Sequence, residues 1–237
     1  MRAILHVAVI AVAAFIVNAS SSIMTSFLPV YAQSMGAQLG VEIGLFTSMF
    51  LLSRIFMNYY SGIRSDRIGR KRLIVIGITI CIASSLLLAV PMGWYLILCV
   101  RAIQGIGSSM VWTPSTALVG DLMPKGRRGF AMAVYNSISM VGWVLGPGLG
   151  GSVQWYFRNP AALTLEGSFQ AVFYTSALLQ VAALAVVLVA IREPARAEES
   201  ETKMPIDRSL RRSLAAMSLL VFSFALIVAL IEPLLVY

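Results

Sequence analysis

Seven long apolar runs separated by short polar gaps restrict the possible folds of this chain more than any other feature. They are Ile4–Tyr31, Val41–Tyr60, Leu73–Val90, Trp94–Leu118, Phe130–Val153, Phe169–Ile191 and Leu214–Tyr237. Spanning the hydrocarbon core as a helix takes ~20 apolar residues, and each run is close to that length or beyond it. A chain that is 59% hydrophobic and 12% charged has too little polar surface to clothe seven such runs in water. In lipid every backbone donor and acceptor must be satisfied internally, and a helix does this within one segment. The expectation is an all-α integral membrane protein, multi-pass, embedded in the lipid bilayer.

The gaps say which way the chain is threaded. Placing the N-terminus inside puts Arg2, then Arg64, Arg67, Arg70, Lys71 and Arg72, in cytoplasmic segments. Lys125, Arg127 and Arg128 follow on the same side, then Arg192, Arg196, Lys203, Arg208, Arg211 and Arg212. That is fifteen of the eighteen basic residues, against Arg158 alone outside and Arg54 and Arg101 within helices. Short cytoplasmic loops collect Lys and Arg, so the N-terminus is expected in the cytoplasm of a plasma-membrane protein. The net charge of +8 is therefore topological rather than a nucleic-acid face. Met1-Arg2 and the first run have the outline of a signal peptide, but the apolar character continues past Ala19 to about Tyr31. This length marks a first transmembrane helix.

Three stretches carry more than topology. Gly62-Ile63-Arg64-Ser65-Asp66-Arg67-Ile68-Gly69-Arg70-Lys71 lies between the second and third runs. Asp66-Arg67-Ile68-Gly69 reads as a type I turn, with Asp first and Gly fourth. Arg101-Ala102-Ile103-Gln104-Gly105-Ile106-Gly107 lies inside the fourth run, with Arg101 roughly 10 Å below its outer end. Arginine at that depth is costly unless it faces protein or water, or snorkels to the interface. Arg54, in the second run, leaves the same two readings open. In the fifth run Gly142, Gly146 and Gly150 recur every fourth residue, a stripe that permits close helix approach. Pro147 removes its own amide donor and frees the carbonyl of Trp143, which predicts a kink.

Together these stretches resemble signatures of the major facilitator superfamily. Gly62, Asp66, Arg67, Gly69, Arg70 and Lys71 match its loop between the second and third helices. Arg101, Gln104, Gly105 and Gly107 are similar to its fourth-helix motif, and Gly142, Gly146, Pro147, Gly150 and Gly151 to its antiporter motif. Where the fuller antiporter motif has a further glycine, this chain has Ala133. The resemblance implies a six-helix bundle of two inverted three-helix repeats over residues 1–191, and a cytoplasmic linker over 192–213. A seventh helix over 214–237 would begin a second bundle. A short echo of Ser26-Phe27-Leu28-Pro29-Val30-Tyr31 in Ile231-Glu232-Pro233-Leu234-Leu235-Val236-Tyr237 agrees with such a repeat.

The family further implies a secondary transporter that works by alternating access on a small organic molecule, with the proton as coupling ion. The antiporter motif favours efflux over an uptake permease. Asp121 would pair with arginines of the Gly62–Lys71 loop as part of a cytoplasmic gate. Arg101, Gln104, Asn18 and Asn136 are the candidates for coupling or substrate contact. With one bundle and one further helix, the chain is expected to be a truncated or partial form, completed by a missing C-terminal half or a second copy. A non-transporting scaffold is the rival reading.

Several chemistries have no residues to carry them. His6 is the sole histidine, so no metal cluster or catalytic triad can be built on it. No phosphate-binding Gly-x-x-x-x-Gly-Lys-Ser/Thr loop is present, and no cofactor is implied. Cys81 and Cys99 both lie in apolar runs and read as small packing residues. Neither Asp nor Glu lies deep in any run, which leaves proton coupling without an obvious carrier in this sequence. The chain is not expected to be an enzyme.

Overall fold

Long apolar runs favour long helices, which here continue through Pro29, Pro114 and Pro147 and dominate the structure. The computed structural model describes residues 2–36, 41–159, 161, 163–191 and 223. Among them are six α-helices: α1 (Arg2–Ser34), α2 (Val41–Ile68), α3 (Arg70–Leu88), α4 (Trp94–Leu122), α5 (Arg128–Arg158) and α6 (Leu165–Ala190). A single 3₁₀ turn, Lys125–Arg127, joins α4 to α5. All six helices fall in one compact unit, Met1–Pro194. The linker expected at 192–213 and the seventh run at 214–237 lie outside the described residues, apart from Ser223.

Five of the helices are long and apolar enough to cross a membrane; α2 is not among them. Its apolar run ends near Tyr60, but the helix continues to Ile68 through Arg64, Asp66 and Arg67. Hydrogen bonding, not hydropathy, decides where a helix stops, so polar flanks extend it beyond the apolar run.

This extension corrects the turn expected at Asp66–Gly69. Asp66, Arg67 and Ile68 belong to the last turn of α2, and the Gly69 N–H still donates to the Ser65 carbonyl at 3.2 Å. Gly69 alone separates the two helices, at φ +105°. An L-residue is strained at that angle, and glycine is not. The Gly69 carbonyl then accepts from Leu73 N–H at 3.2 Å in the first turn of α3.

The helices pack with an internal symmetry. α1 lies against α5 and α6, and α4 correspondingly against α2 and α3, while α3 also meets α6. Exchanging α1, α2, α3 for α4, α5, α6 leaves this pattern unchanged. The bundle is thus built from two three-helix repeats, α1–α3 and α4–α6.

Small residues set the spacing. A Cβ on Gly105 would collide with the Phe50 carbonyl and Ser53 Oγ on α2. On the opposite side of α4, a Cβ on Gly107 would lie 2.9 Å from both Cys81 Sγ and the Gly77 carbonyl on α3. Cys81 thus packs in a helix interface, whereas Cys99 is exposed and does not. Apolar clusters fill the two ends of the bundle. One gathers Val7, Ile74, Leu118, Tyr135 and Val187; the other gathers Leu28, Tyr31, Phe46, Phe169 and Phe173. In the second, Tyr31 meets Phe169 and Phe173 edge-on, with centroids 5.9 and 5.0 Å apart.

Candidate functional site

Three constellations hold the residues singled out by the sequence. The first is at the α2–α3 junction. Because Gly69 turns the chain at once into α3, Asp66 and Arg70 face each other, Nη2 to Oδ1, at 3.5 Å. Arg70 also forms an ion pair with Asp121 near the end of α4. The Lys71 ammonium donates to the Leu188 carbonyl of α6 at 2.8 Å. One short segment therefore ties α2, α3, α4 and α6 together at the end where the basic gaps lie. Asp66 and Asp121 are about half exposed (57% and 45%), so these pairs add little stability in water-facing positions. Arg67 is exposed. Gly62, the first residue matched to the loop signature, has open space around it: a Cβ there meets nothing within 4 Å among the described residues.

The second constellation is a polar layer inside the bundle. Arg101 is 1% exposed, the largest fully buried side chain among the described residues. Its Nη1 donates to Gln104 Oε1 at 2.6 Å, and its Nε makes a long contact with the Phe46 carbonyl at 3.5 Å. The Phe50 ring lies under the guanidinium, 4.6 Å from centroid to Cζ. Snorkelling is thereby excluded for Arg101: the side chain is held against its own helix and α2. Gln104 Nε2 donates to Met24 Sδ at 3.2 Å. The Ser85 hydroxyl lies within hydrogen-bond distance of Met24 Sδ (3.2 Å), the Cys81 carbonyl (3.0 Å) and Gln180 Oε1 (3.0 Å). It can donate to one of these at a time. The layer crosses α4, α1, α3 and α6, and among the described residues no carboxylate neutralises Arg101.

Ser85 and Gln180 are absent from the sequence-based candidates. The signal for Gln180 was available, since a side-chain amide inside a strongly apolar run is costly without partners. Ser85 gave no such signal, because serines are common in membrane helices and most back-bond to their own backbone.

The third constellation is the seam between α1 and α5. Gly142 abuts the Phe15 carbonyl, and a Cβ on Gly146 would lie 2.6 Å from the Ala19 carbonyl and 2.7 Å from Ser22 Cβ. At Gly150 the neighbours are the Phe27 ring and Ile23. Gly151 does not share this seam; its nearest neighbour would be 4.0 Å away. Close approach puts α1 side chains onto the α5 backbone. Asn18 Nδ2 donates to the Ser139 carbonyl at 3.1 Å, and Ser22 Oγ to the Trp143 carbonyl at 2.7 Å. Trp143 is four residues before Pro147, so Ser22 supplies the donor that the proline removes.

These groups are not one site. Asn136 is exposed on α5, apart from the Arg101–Gln104 pair. Asn18 instead borders a small cleft of about 30 Å³ where α1, α2, α4 and α5 converge, with Ser21, Arg54, Ser108, Trp112 and Trp143. The Arg54 guanidinium carbon lies 5.9 Å from the Trp112 ring centroid. Among the described residues no group of His, Cys, Asp and Glu could hold a metal ion.

The Major Facilitator Superfamily model matches residues 10–237, nearly the whole chain. The chain belongs to the major facilitator superfamily. Membership makes it a multi-pass membrane protein. Over 190 residues it is 27% identical to the Quinolone resistance protein NorA of Staphylococcus aureus, covering 78% of this chain and 45% of that protein. Over 159 residues it is 28% identical to the Multi-drug resistance efflux pump PmrA of Streptococcus pneumoniae, covering 65% and 39% respectively. The chain thus spans about half the length of the curated relatives it matches, or less. Among solved structures it superimposes on a bacterial homologue of the human lysosomal transporter Spinster with a TM-score of 0.69. That match, at 16% identity, covers 88% of this chain and 47% of the other, and shows the superfamily fold.

Proposed function

We propose that this chain provides one bundle of a secondary active exporter of small organic molecules. It works by alternating access with a second bundle and is driven by proton entry. The observation that carries this reading is the likeness to two proteins named for drug resistance and efflux, across the same residues that build the bundle. The geometry agrees in three places. The Asp66–Arg70–Asp121 cluster sits at one end, where breaking partly exposed pairs costs little and can gate a movement. The α1–α5 seam is tightly packed, which suits a bundle that moves as a body. Arg101 holds a positive charge at depth, where its cost is borne only if the charge has a use.

Proton coupling would need a carboxylate from the second bundle, since the described helices bring none to Arg101. The distribution of basic residues supports a cytoplasmic N-terminus and a cytoplasmic Asp66–Arg70 end. Cysteine at Asp66 should then react with a membrane-impermeant maleimide only in inverted vesicles, and cysteine at Met92 only in right-side-out cells.

The transport reading is tested in proteoliposomes carrying the full chain together with its second bundle, with an imposed pH gradient. Gradient-driven efflux of a fluorescent amphipathic dye is expected, lost on Arg101→Met and reduced on Asp66→Asn. A protein that only scaffolds the membrane would tolerate both substitutions, and uptake with the gradient reversed would indicate a symporter.

A further inference from the structure

Arg54 has no place in the exporter reading so far, yet it is the more available of the two deep cations. It is the fourteenth of the 28 residues of α2, so roughly 20 Å of helix separates it from either end. Its guanidinium lies against the Trp112 ring of α4. Arg101 is sealed by Gln104, the Phe46 carbonyl and the Phe50 ring. Arg54 makes no hydrogen bond or ion pair among the described residues; it meets only an aromatic face and opens on the cleft. The hydroxyls of Ser21 and Ser108 border the same cleft and likewise have no hydrogen-bond partner among the described residues.

We propose that this cleft is an anion subsite, which takes the carboxylate of an amphipathic aromatic acid. Three observations converge on this. Its unspent groups include the guanidinium and the two serine hydroxyls, all able to donate, which suits an acceptor-only ligand group. Two deep cations and no carboxylate beside them make the local potential positive, so a cationic ligand is repelled and an anion drawn in. The volume of about 30 Å³ holds one small polar group rather than a whole ligand. The aromatic body of the ligand then lies at the cleft mouth against Trp112 and Trp143, the latter 41% exposed. Arginine matches a carboxylate with two parallel hydrogen bonds, which a lysine at this position would not reproduce.

The assignment rests on the exporter reading for its purpose, but its test is of binding. The full chain in lipid nanodiscs is titrated calorimetrically with 2-naphthoate, its neutral amide, and 2-naphthylmethylammonium, with empty nanodiscs as the partition control. The carboxylate is expected to bind about tenfold more tightly than the cation, or better. Arg54→Gln should bring the carboxylate to the affinity of the amide while leaving the amide unchanged. Arg54→Lys should keep part of the preference, which separates charge from folding. Equal or tighter binding of the cation overturns the proposal. So does a carboxylate preference that survives in Arg54→Gln, and so does the absence of saturable binding by all three probes. Charge-selective binding without gradient-driven flux would sink the exporter reading alone, and flux without charge selectivity would sink the subsite alone.

Discussion

Replacing Gly146 by alanine should destabilise the bundle, although alanine is the better helix former. The structure gives the size of the effect. The added Cβ would lie 2.6 Å from the Ala19 carbonyl, against 3.4 Å where ordinary contact begins, so α1 and α5 must part by about 0.8 Å. Both obstructing atoms belong to or adjoin the α1 backbone and cannot swing aside as a side-chain tip would. The same displacement stretches the 2.7 Å bond from Ser22 Oγ to the Trp143 carbonyl beyond hydrogen-bonding range. That carbonyl cannot return to its helix partner, because the partner is Pro147. Overpacking costs about 1–3 kcal/mol and the lost bond about 1 kcal/mol. The gain in helix propensity offsets about 0.5–1 kcal/mol. A net loss of about 2 kcal/mol follows. Gly148→Ala is the control: a Cβ there meets nothing within 4 Å among the described residues, and it collects the propensity gain alone. Equilibrium unfolding of both variants by a graded denaturing detergent measures the difference. If Gly146→Ala proves as stable as Gly148→Ala, the tight seam is not what holds α1 to α5.

The proline cap admits a cycle of its own. Ser22→Ala should cost about 1–3 kcal/mol by orphaning the Trp143 carbonyl, and Pro147→Ala should restore most of it, since residue 147 then donates. Additive losses in the double variant would refute the capping role. For the buried layer, Gln104→Leu leaves the Arg101 guanidinium without its short partner and should cost about 1.5–3 kcal/mol, as for other hydrogen bonds to charged groups. Arg101→Met/Gln104→Leu, which removes charge and acceptor together, should unfold at higher detergent than Gln104→Leu alone. At the Asp66–Arg70–Asp121 cluster, Asp121→Asn should change unfolding free energy by less than about 1 kcal/mol because both partners are partly solvated, and its effect should appear in transport rates instead.

How much of this was legible in the sequence differs from group to group. The spacing of Gly142, Gly146 and Gly150 announced a face, and Pro147 announced a freed carbonyl, because both follow from covalent geometry along one helix. That Ser22 would supply the missing donor could not be read, since it depends on which turn of α1 lies opposite. Arg101 and Gln104 share a face by their spacing, but whether that face met lipid, water or protein was a matter of packing. Gly62 shows the reverse case: a residue that permits close approach does not require it. The Asp66–Gly69 segment was misread as a turn because Asp and Gly are turn formers locally, while α2 had enough hydrogen bonds to continue to Ile68.

The amino-acid sequence by itself determined that the chain spans a membrane and which gaps carry the positive charge. It also carried the marks of the superfamily. These depend on composition, on length against bilayer thickness and on short motifs, none of which needs a neighbour in space. Only the tertiary structure decided that Arg70 bridges two acids from different helices, and that Arg101 is sealed inside a layer extending to Gln180. It alone set Arg54 against Trp112 at a cleft, with no hydrogen bond or ion pair among the described residues. Partners brought together by helix packing are separated by tens of residues along the chain, and no local pattern encodes the angle at which two helices meet.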